Sequence, residues 1–227
     1  MTDLVITQAF KSWANLVRPF ASSNAMDQIL NKVLGEDRKK FTVYPPNNQV
    51  FRCFKECNYQ DFKVMIVNTE PYTSGAANGL AYAIDPSWPG KLPHELKNLV
   101  TELREEYPET IIDYSLSSWP KQGILLYNLA LTVLEAHKGS HSDIWAPFSQ
   151  FLFKELSDKN TGIIYILLGP KAGSYAKFIN EDTNYIFRHA SPSQETFTAR
   201  NAGFFESQVF LDINVIHKKL YGYEIIF

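Results

Sequence analysis

Val64-Met65-Ile66-Val67-Asn68-Thr69-Glu70-Pro71-Tyr72-Thr73 is the stretch from which the fold can be read. Four consecutive apolar residues, three of them β-branched, predict a strand over residues 62–67. Its lack of polar alternation predicts burial on both faces, as in a parallel sheet. A carboxylate, a proline and an aromatic leave the end of that strand together. In an open α/β sheet, ligand-binding and catalytic groups gather beyond the carboxyl ends of the strands.

The pattern repeats along the chain. Gly123-Ile124-Leu125-Leu126-Tyr127, the run Gly162 to Leu168, and Tyr185-Ile186-Phe187 read as three further strands. Helical periodicity lies between and around them. Residues 3–35 form two helices punctuated by Pro19 and Ser22-Ser23-Asn24, with Asn24 as N-cap and Gly35 as the stop. Asn48 to Glu56, Leu92 to Glu106, Ile144 to Leu156, Ala172 to Ile179 and Gly203 to Tyr221 are the other helices. Strands alternating with helices predict one α/β/α sandwich around a mainly parallel four-stranded sheet. Neither a repeat nor a linker divides the chain, so residues 1–227 read as one domain. Residues 1–40 serve as helical scaffold and 43–210 carry the motifs. Asn68 to Thr73, Asn128, Gly169-Pro170-Lys171 and His189 to Ser193 follow the four strands and should converge on one edge.

A hydrophobic share of 45% over 227 residues supplies one sizeable core. No apolar run approaches the roughly 20 residues of a membrane span, and the N-terminus lacks a secretory pattern. Cys53 and Cys57, four apart in a helix, fit disulfide geometry poorly. They read as reduced thiols, which places the chain in the cytoplasm. No Cys/His cluster completes a metal site. The net charge of −2 argues against a broad polyanion-coating surface. A small basic footprint is still available from Arg38-Lys39-Lys40, Lys171, Lys177, Arg188, Arg200 and Lys218-Lys219.

Several segments, in order, resemble the family-1 uracil-DNA glycosylases. Tyr44-Pro45-Pro46 with Val50-Phe51 is similar to the entry segment Val-Tyr-Pro-Pro. Asn68 to Thr73 is similar to the water-activating motif Gly-Gln-Asp-Pro-Tyr-His. Gly79-Leu80-Ala81-Tyr82 resembles Gly-Leu-Ala-Phe. Trp119 to Asn128 resembles the segment that ends in Gln-Gly-Val-Leu-Leu-Leu-Asn. Ser140-His141-Ser142 and Leu168-Gly169 also fit. His189-Ala190-Ser191-Pro192-Ser193 resembles His-Pro-Ser-Pro-Leu, with Gly203-Phe204-Phe205 following.

The resemblance implies a monomeric hydrolase that flips a pyrimidine out of DNA and cleaves its N-glycosidic bond without a cofactor. Glu70 would hold the attacking water. His189, if neutral, would donate to the base O2 as negative charge builds there. Tyr82 would stack on the base, and Asn128 would read its pairing edge. Tyr72, Thr69 and Asn68 would line the base pocket. Thr73, Ser74, Gly169, Lys171, Ser191 and Ser193 would face DNA, with Phe197 and Arg200 as wedge or phosphate ligand.

The departures from the family pattern cluster around the base. Aspartate becomes Glu70, Gly and Gln become Asn68 and Thr69, and His becomes Thr73. The loop from Tyr72 to Gly79 is one residue shorter. The wedging leucine becomes Ser193, in a longer loop. Smaller groups near C5 of the pyrimidine would admit a larger base, and an asparagine side chain can present either oxygen or NH2 to a base. The expected substrate is therefore a C5-modified pyrimidine, such as glucosylated hydroxymethylcytosine of phage DNA, in antiviral defence. Two alternatives stand beside it: conventional uracil repair, and a catalytically silent DNA-binding module.

Overall fold

The computed structural model describes residues 1–193 and 203–227. Helices α1 (Asp3–Phe10), α2 (Ala14–Ala21), α3 (Asn24–Leu30) and α4 (Asp37–Lys40) open the chain. Strand β1 (Val43–Tyr44) and helix α5 (Arg52–Glu56) lead into β2 (Val64–Asn68). Helix α6 (His94–Glu106) precedes β3 (Ile124–Asn128), the short β4 (Val133–Leu134) and the long α7 (Ser142–Lys159). Strand β5 (Ile164–Leu168), the single turn α8 (Pro170–Gly173), β6 (Tyr185–His189) and α9 (Val209–Tyr221) complete the order.

The four longer strands form one sheet in the order β3-β2-β5-β6, all parallel. The central strands β2 and β5 are apolar throughout, apart from Asn68 at the end of β2, as strands covered on both faces must be. Aromatic contacts fix one covering layer. Phe54 of α5 stands 6.0 Å from Tyr127 of β3, and Phe153 of α7 lies 6.3 Å from Tyr127 and 6.0 Å from Tyr165 of β5. Helix α9 packs on β5 and against α6. A two-stranded antiparallel ribbon, β1 with β4, lies outside this sheet and was not foreseen from the sequence.

The N-terminal helices dock on the α5–α7 layer. Phe10 lies 4.6 Å from Phe51 and 5.1 Å from Phe54, and the Trp13 indole donates to the Cys57 carbonyl at 2.6 Å. Cys53 and Cys57 are free and buried. Burial pushes both thiols up, that of Cys57 to about 12, so neither is a reactive thiolate.

Local punctuation differs from expectation in four places. Pro19 lies inside α2 instead of ending it. Its missing N–H orphans the carbonyl of Asn15, which is exposed and open to water. The cap of α3 is Ser23, whose hydroxyl accepts from Met26 N at 3.4 Å, and Asn24 is the first helical residue. Gly35 does not stop the helix. A widened turn over Asn31–Glu36 carries it into α4. There Asp37 is held inside by His141 Nε2 at 3.2 Å and Lys32 Nζ at 2.9 Å. Finally, α9 begins at Val209 rather than Gly203. The buried Glu102 carboxylate accepts from Glu206 N at 2.9 Å, Ser207 Oγ at 3.1 Å and Gln208 N at 3.1 Å, which holds the segment before α9 as a loop. No helix among the described residues is long and apolar enough to cross a membrane.

Candidate active site

Parallel pairing in register brings the strand ends to one edge. Asn68 lies opposite Asn128, and Leu168 opposite His189. Across the sheet the row reads Asn128, Asn68, Leu168-Gly169, His189, with neighbouring strands about 5 Å apart. The convergence expected from the apolar runs is therefore present.

Backbone bonds weld the exits of β2 and β3. Leu129 N donates to Asn68 O at 2.9 Å and Ala130 N to Thr69 O at 3.0 Å. The carboxamide NH2 of Asn68 donates to Glu70 O at 2.7 Å and to Asn128 Oδ1 at 3.0 Å. Asn128 itself is 3% exposed.

Glu70 is half-buried. Its Oε2 accepts from Gly139 N at 2.7 Å, in the loop after β4. Burial raises its pKa, while the Gly139 N–H and the charges of Lys138 and Lys171 oppose the rise. One carboxylate oxygen is thus fixed by the backbone.

Tyr72 and Tyr82 form the aromatic side of the site. The Tyr72 hydroxyl donates to the Tyr82 carbonyl at 2.8 Å. Tyr82 is buried with φ at 63°, a left-handed conformation costing a non-glycine residue about 1–3 kcal/mol. Ala81 N bonded to Leu126 O at 3.1 Å helps hold it there. So does Asn78, fully buried, whose side chain bonds Leu80 N at 2.9 Å and Ile84 O at 2.8 Å. Gly79 is required in this loop, since a Cβ there would stand 2.1 Å from Gln49 O. The Tyr82 hydroxyl is buried with no partner among the described residues.

His189 ends β6, its carbonyl accepting from Gly169 N at 2.9 Å. Its Nε2 is buried and meets no hydrogen-bond partner among the described residues. Burial lowers its pKa, and the nearby carboxylates of Asp212 and Glu102 only partly counter this. The ring is therefore neutral near pH 7 and stacks parallel to Phe187. A fixed carboxylate and a neutral imidazole on one edge suit hydrolysis in which water is oriented and negative charge develops on a leaving group.

The family model of the uracil DNA glycosylase superfamily matches residues 54–213. The chain is 35% identical to a uracil-DNA glycosylase of Fusobacterium nucleatum, over 84% of each chain, and 33% identical to one of Bacillus subtilis, over 85% of each. This chain belongs to the uracil-DNA glycosylase superfamily. It is a DNA glycosylase, hydrolysing N-glycosidic bonds. The fold agrees: the crystal structure of mimivirus uracil-DNA glycosylase superposes with a TM-score of 0.87 at 20% identity, covering 100% of this chain and 89% of that one. The enzyme of Nitratifractor salsuginis matches with a TM-score of 0.61 at 16% identity, over 86% and 88%.

Around this edge the glycosylase places the remaining candidates. Thr69, Thr73 and Ser74 are half-buried on the β2 exit, with Thr73 O accepting from Ala136 N at 3.0 Å. Lys171 is exposed on α8, and its charge reaches Glu70. Gly169, at φ 92°, is buried with its Cβ direction 3.1 Å from Ser191 Cβ. Ser191 and Ser193 share a hydroxyl–hydroxyl bond of 2.8 Å. Phe197 and Arg200 lie outside the described residues. Gly139, Asn78, Asn98 and Glu102 were missed from the sequence. Asn98 donates to Pro192 O at 2.8 Å and so steadies the segment after His189. Its signal was present as polar residues every four positions on α6: His94, Asn98, Glu102, Glu106.

Proposed function

We propose that the glycosylase excises uracil from DNA and leaves an abasic site. The observation that carries the pyrimidine-glycosylase chemistry is the buried Nε2 of a neutral His189, without a partner among the described residues, on the same strand-end edge as Glu70. A buried polar atom without a partner costs about 1–3 kcal/mol unless a ligand satisfies it, and in the tautomer protonated at Nε2 that atom is a donor. The O2 of a flipped pyrimidine is such a ligand, and the bond strengthens as the base departs as an anion. Glu70, steadied through Oε2 by Gly139, holds the water on Oε1 for attack at C1′ and offsets the positive charge on the sugar. Tyr82 stacks on the base, and Asn128 meets its pairing edge. Tyr72, tied by its hydroxyl to Tyr82, stands as the barrier at C5. Thr73, Ser74, Lys171, Ser191 and Ser193 lie where the flanking phosphates pass.

A second reading keeps the C5-modified cytosine and the antiviral role. It is favoured by the Tyr82 hydroxyl, which has no partner among the described residues and is a polar atom that stacking alone does not need, and by the small Thr69 and Thr73. An alkali-cleavage assay separates the two. Strand breaks are expected in uracil-containing DNA. Breaks confined to DNA with hydroxymethylcytosine or its glucoside would overturn the uracil assignment in favour of the second reading.

A further inference from the structure

We propose that Asn68 is a positioning residue that sets base specificity by locking the orientation of the Asn128 carboxamide. This deepens the glycosylase reading and rests on Asn128 meeting the base.

The lock follows from hydrogen-bond polarity. Glu70 O is an acceptor, so the Asn68 group 2.7 Å from it must be the NH2. The same NH2 lies 3.0 Å from the Asn128 side chain, so Asn128 must turn its oxygen toward β2. A flipped Asn128 would set NH2 against NH2, a lost bond and two opposed donors. Both hydrogens of the Asn68 amide are used, whereas the Asn128 NH2 donates to no described group although its residue is almost fully buried. The group left for a ligand is therefore a donor, with the second lone pair of Oδ1 beside it. A pyrimidine with a 4-keto oxygen and N3–H complements that pair. A 4-amino pyrimidine, with N3 as acceptor, opposes it at both atoms. The family motif carries glycine at position 68, which has no side chain to act this way, so the device belongs to this chain.

The lock concerns the pairing edge and is independent of C5. The experiment therefore crosses the two positions. Single-stranded oligonucleotides carrying uracil, 5-hydroxymethyluracil, cytosine or 5-hydroxymethylcytosine are offered to the wild type, Asn68→Ala and Asn68→Asp. The readout is kcat/KM for abasic-site formation. Affinity for DNA bearing non-hydrolysable 2′-fluoroarabino uridine or cytidine is measured alongside, so that slow turnover leaves the comparison intact.

The wild type is expected to favour 4-keto over 4-amino bases whatever stands at C5. Asn68→Ala, freeing Asn128 to flip, lowers that preference about tenfold, the scale of one hydrogen bond. Asn68→Asp, an acceptor, draws the Asn128 NH2 toward β2 and lowers the preference further. A general structural defect would weaken both classes of base equally. An unchanged keto-to-amino ratio in both variants, in turnover and in binding, would refute the lock, as would a wild type that prefers 4-amino bases. Cleavage of 5-hydroxymethyluracil but not uracil would defeat the uracil reading while leaving the lock standing.

Discussion

At the scale of single residues, Glu70 and His189 make the same demand on pH, since both must be deprotonated, although burial shifts their pKa values in opposite directions. In the proposed reaction Glu70 must be ionised to hold water, and burial raises its pKa above the ordinary glutamate value. His189 must be neutral, and burial keeps it so to lower pH than an ordinary histidine. Activity should therefore rise with pH along an acid limb set by Glu70 and His189, then stay flat through pH 7–8. A bell with a descending limb in that interval would point to an additional acid. Glu70→Gln should cut abasic-site formation by at least about a hundredfold, since the attacking water loses its anionic anchor. DNA affinity should stay within a few fold, and undiminished turnover would remove Glu70 from this role. Tyr72→Ala removes the side chain that spans to the Tyr82 carbonyl. It should let thymine into the pocket, measured as abasic sites at T:A pairs, and an unchanged base range would place the C5 barrier elsewhere. The strand-end positions of Glu70, Asn128 and His189 were legible because apolar runs have a short, fixed period. Gly139 was not legible, because a backbone N–H has no residue signature and its contact to Glu70 spans 69 positions.

At the scale of elements, α6 works as a ladder. Asn98, Glu102 and Glu106, four residues apart, project to one side of the helix. Asn98 grips Pro192 O, Glu102 takes three donors between Glu206 and Gln208, and Glu106 accepts from Leu211 N at 2.6 Å. The helix thus steadies the backbone just after His189 and caps the start of α9, which lacks a side-chain cap of its own. Glu102→Ala strands three donors and should cost about 2–4 kcal/mol, read as a drop in Tm. A loss below about 0.5 kcal/mol would mean that water replaces the carboxylate freely. Sequence periodicity found α6 through its leucines. It did not find the ladder, because polar residues on a helix are ordinarily assigned to solvent, and only tertiary packing shows that this side is covered. The same blindness misplaced the start of α9: residues 203–208 read as helical until Glu102 claims their N–H groups.

At the scale of the whole molecule, a carboxyl half-buried where α6 meets α9 couples stability to pH. Glu106 is pushed up to about 7 by burial and by its neighbour Glu102. The folded protein thus binds this proton more tightly than the unfolded chain does. Its contribution is fully present below about pH 4.5, the ordinary glutamate value, and is lost as pH rises through 7. Glu106→Gln should accordingly raise Tm more at pH 8 than at pH 5. Equal shifts at both would show that Glu106 titrates normally. The architecture itself was readable: four apolar runs, their order, and the edge where polar segments meet. The β1–β4 ribbon was not, because two-residue strands carry no period.

The pairing of β2 with β5 joins residues 64–67 to 164–167, one hundred positions apart. During synthesis at about 5–20 residues per second, β2 therefore emerges some 5–20 seconds before its central neighbour exists. For that interval an all-apolar strand has only β3, itself sixty residues late, to cover one side. The nascent chain is thus exposed to aggregation for longer than a protein built from local contacts. Slower, cooler expression or a holding chaperone should raise its soluble yield more than it raises that of a helical bundle of equal length.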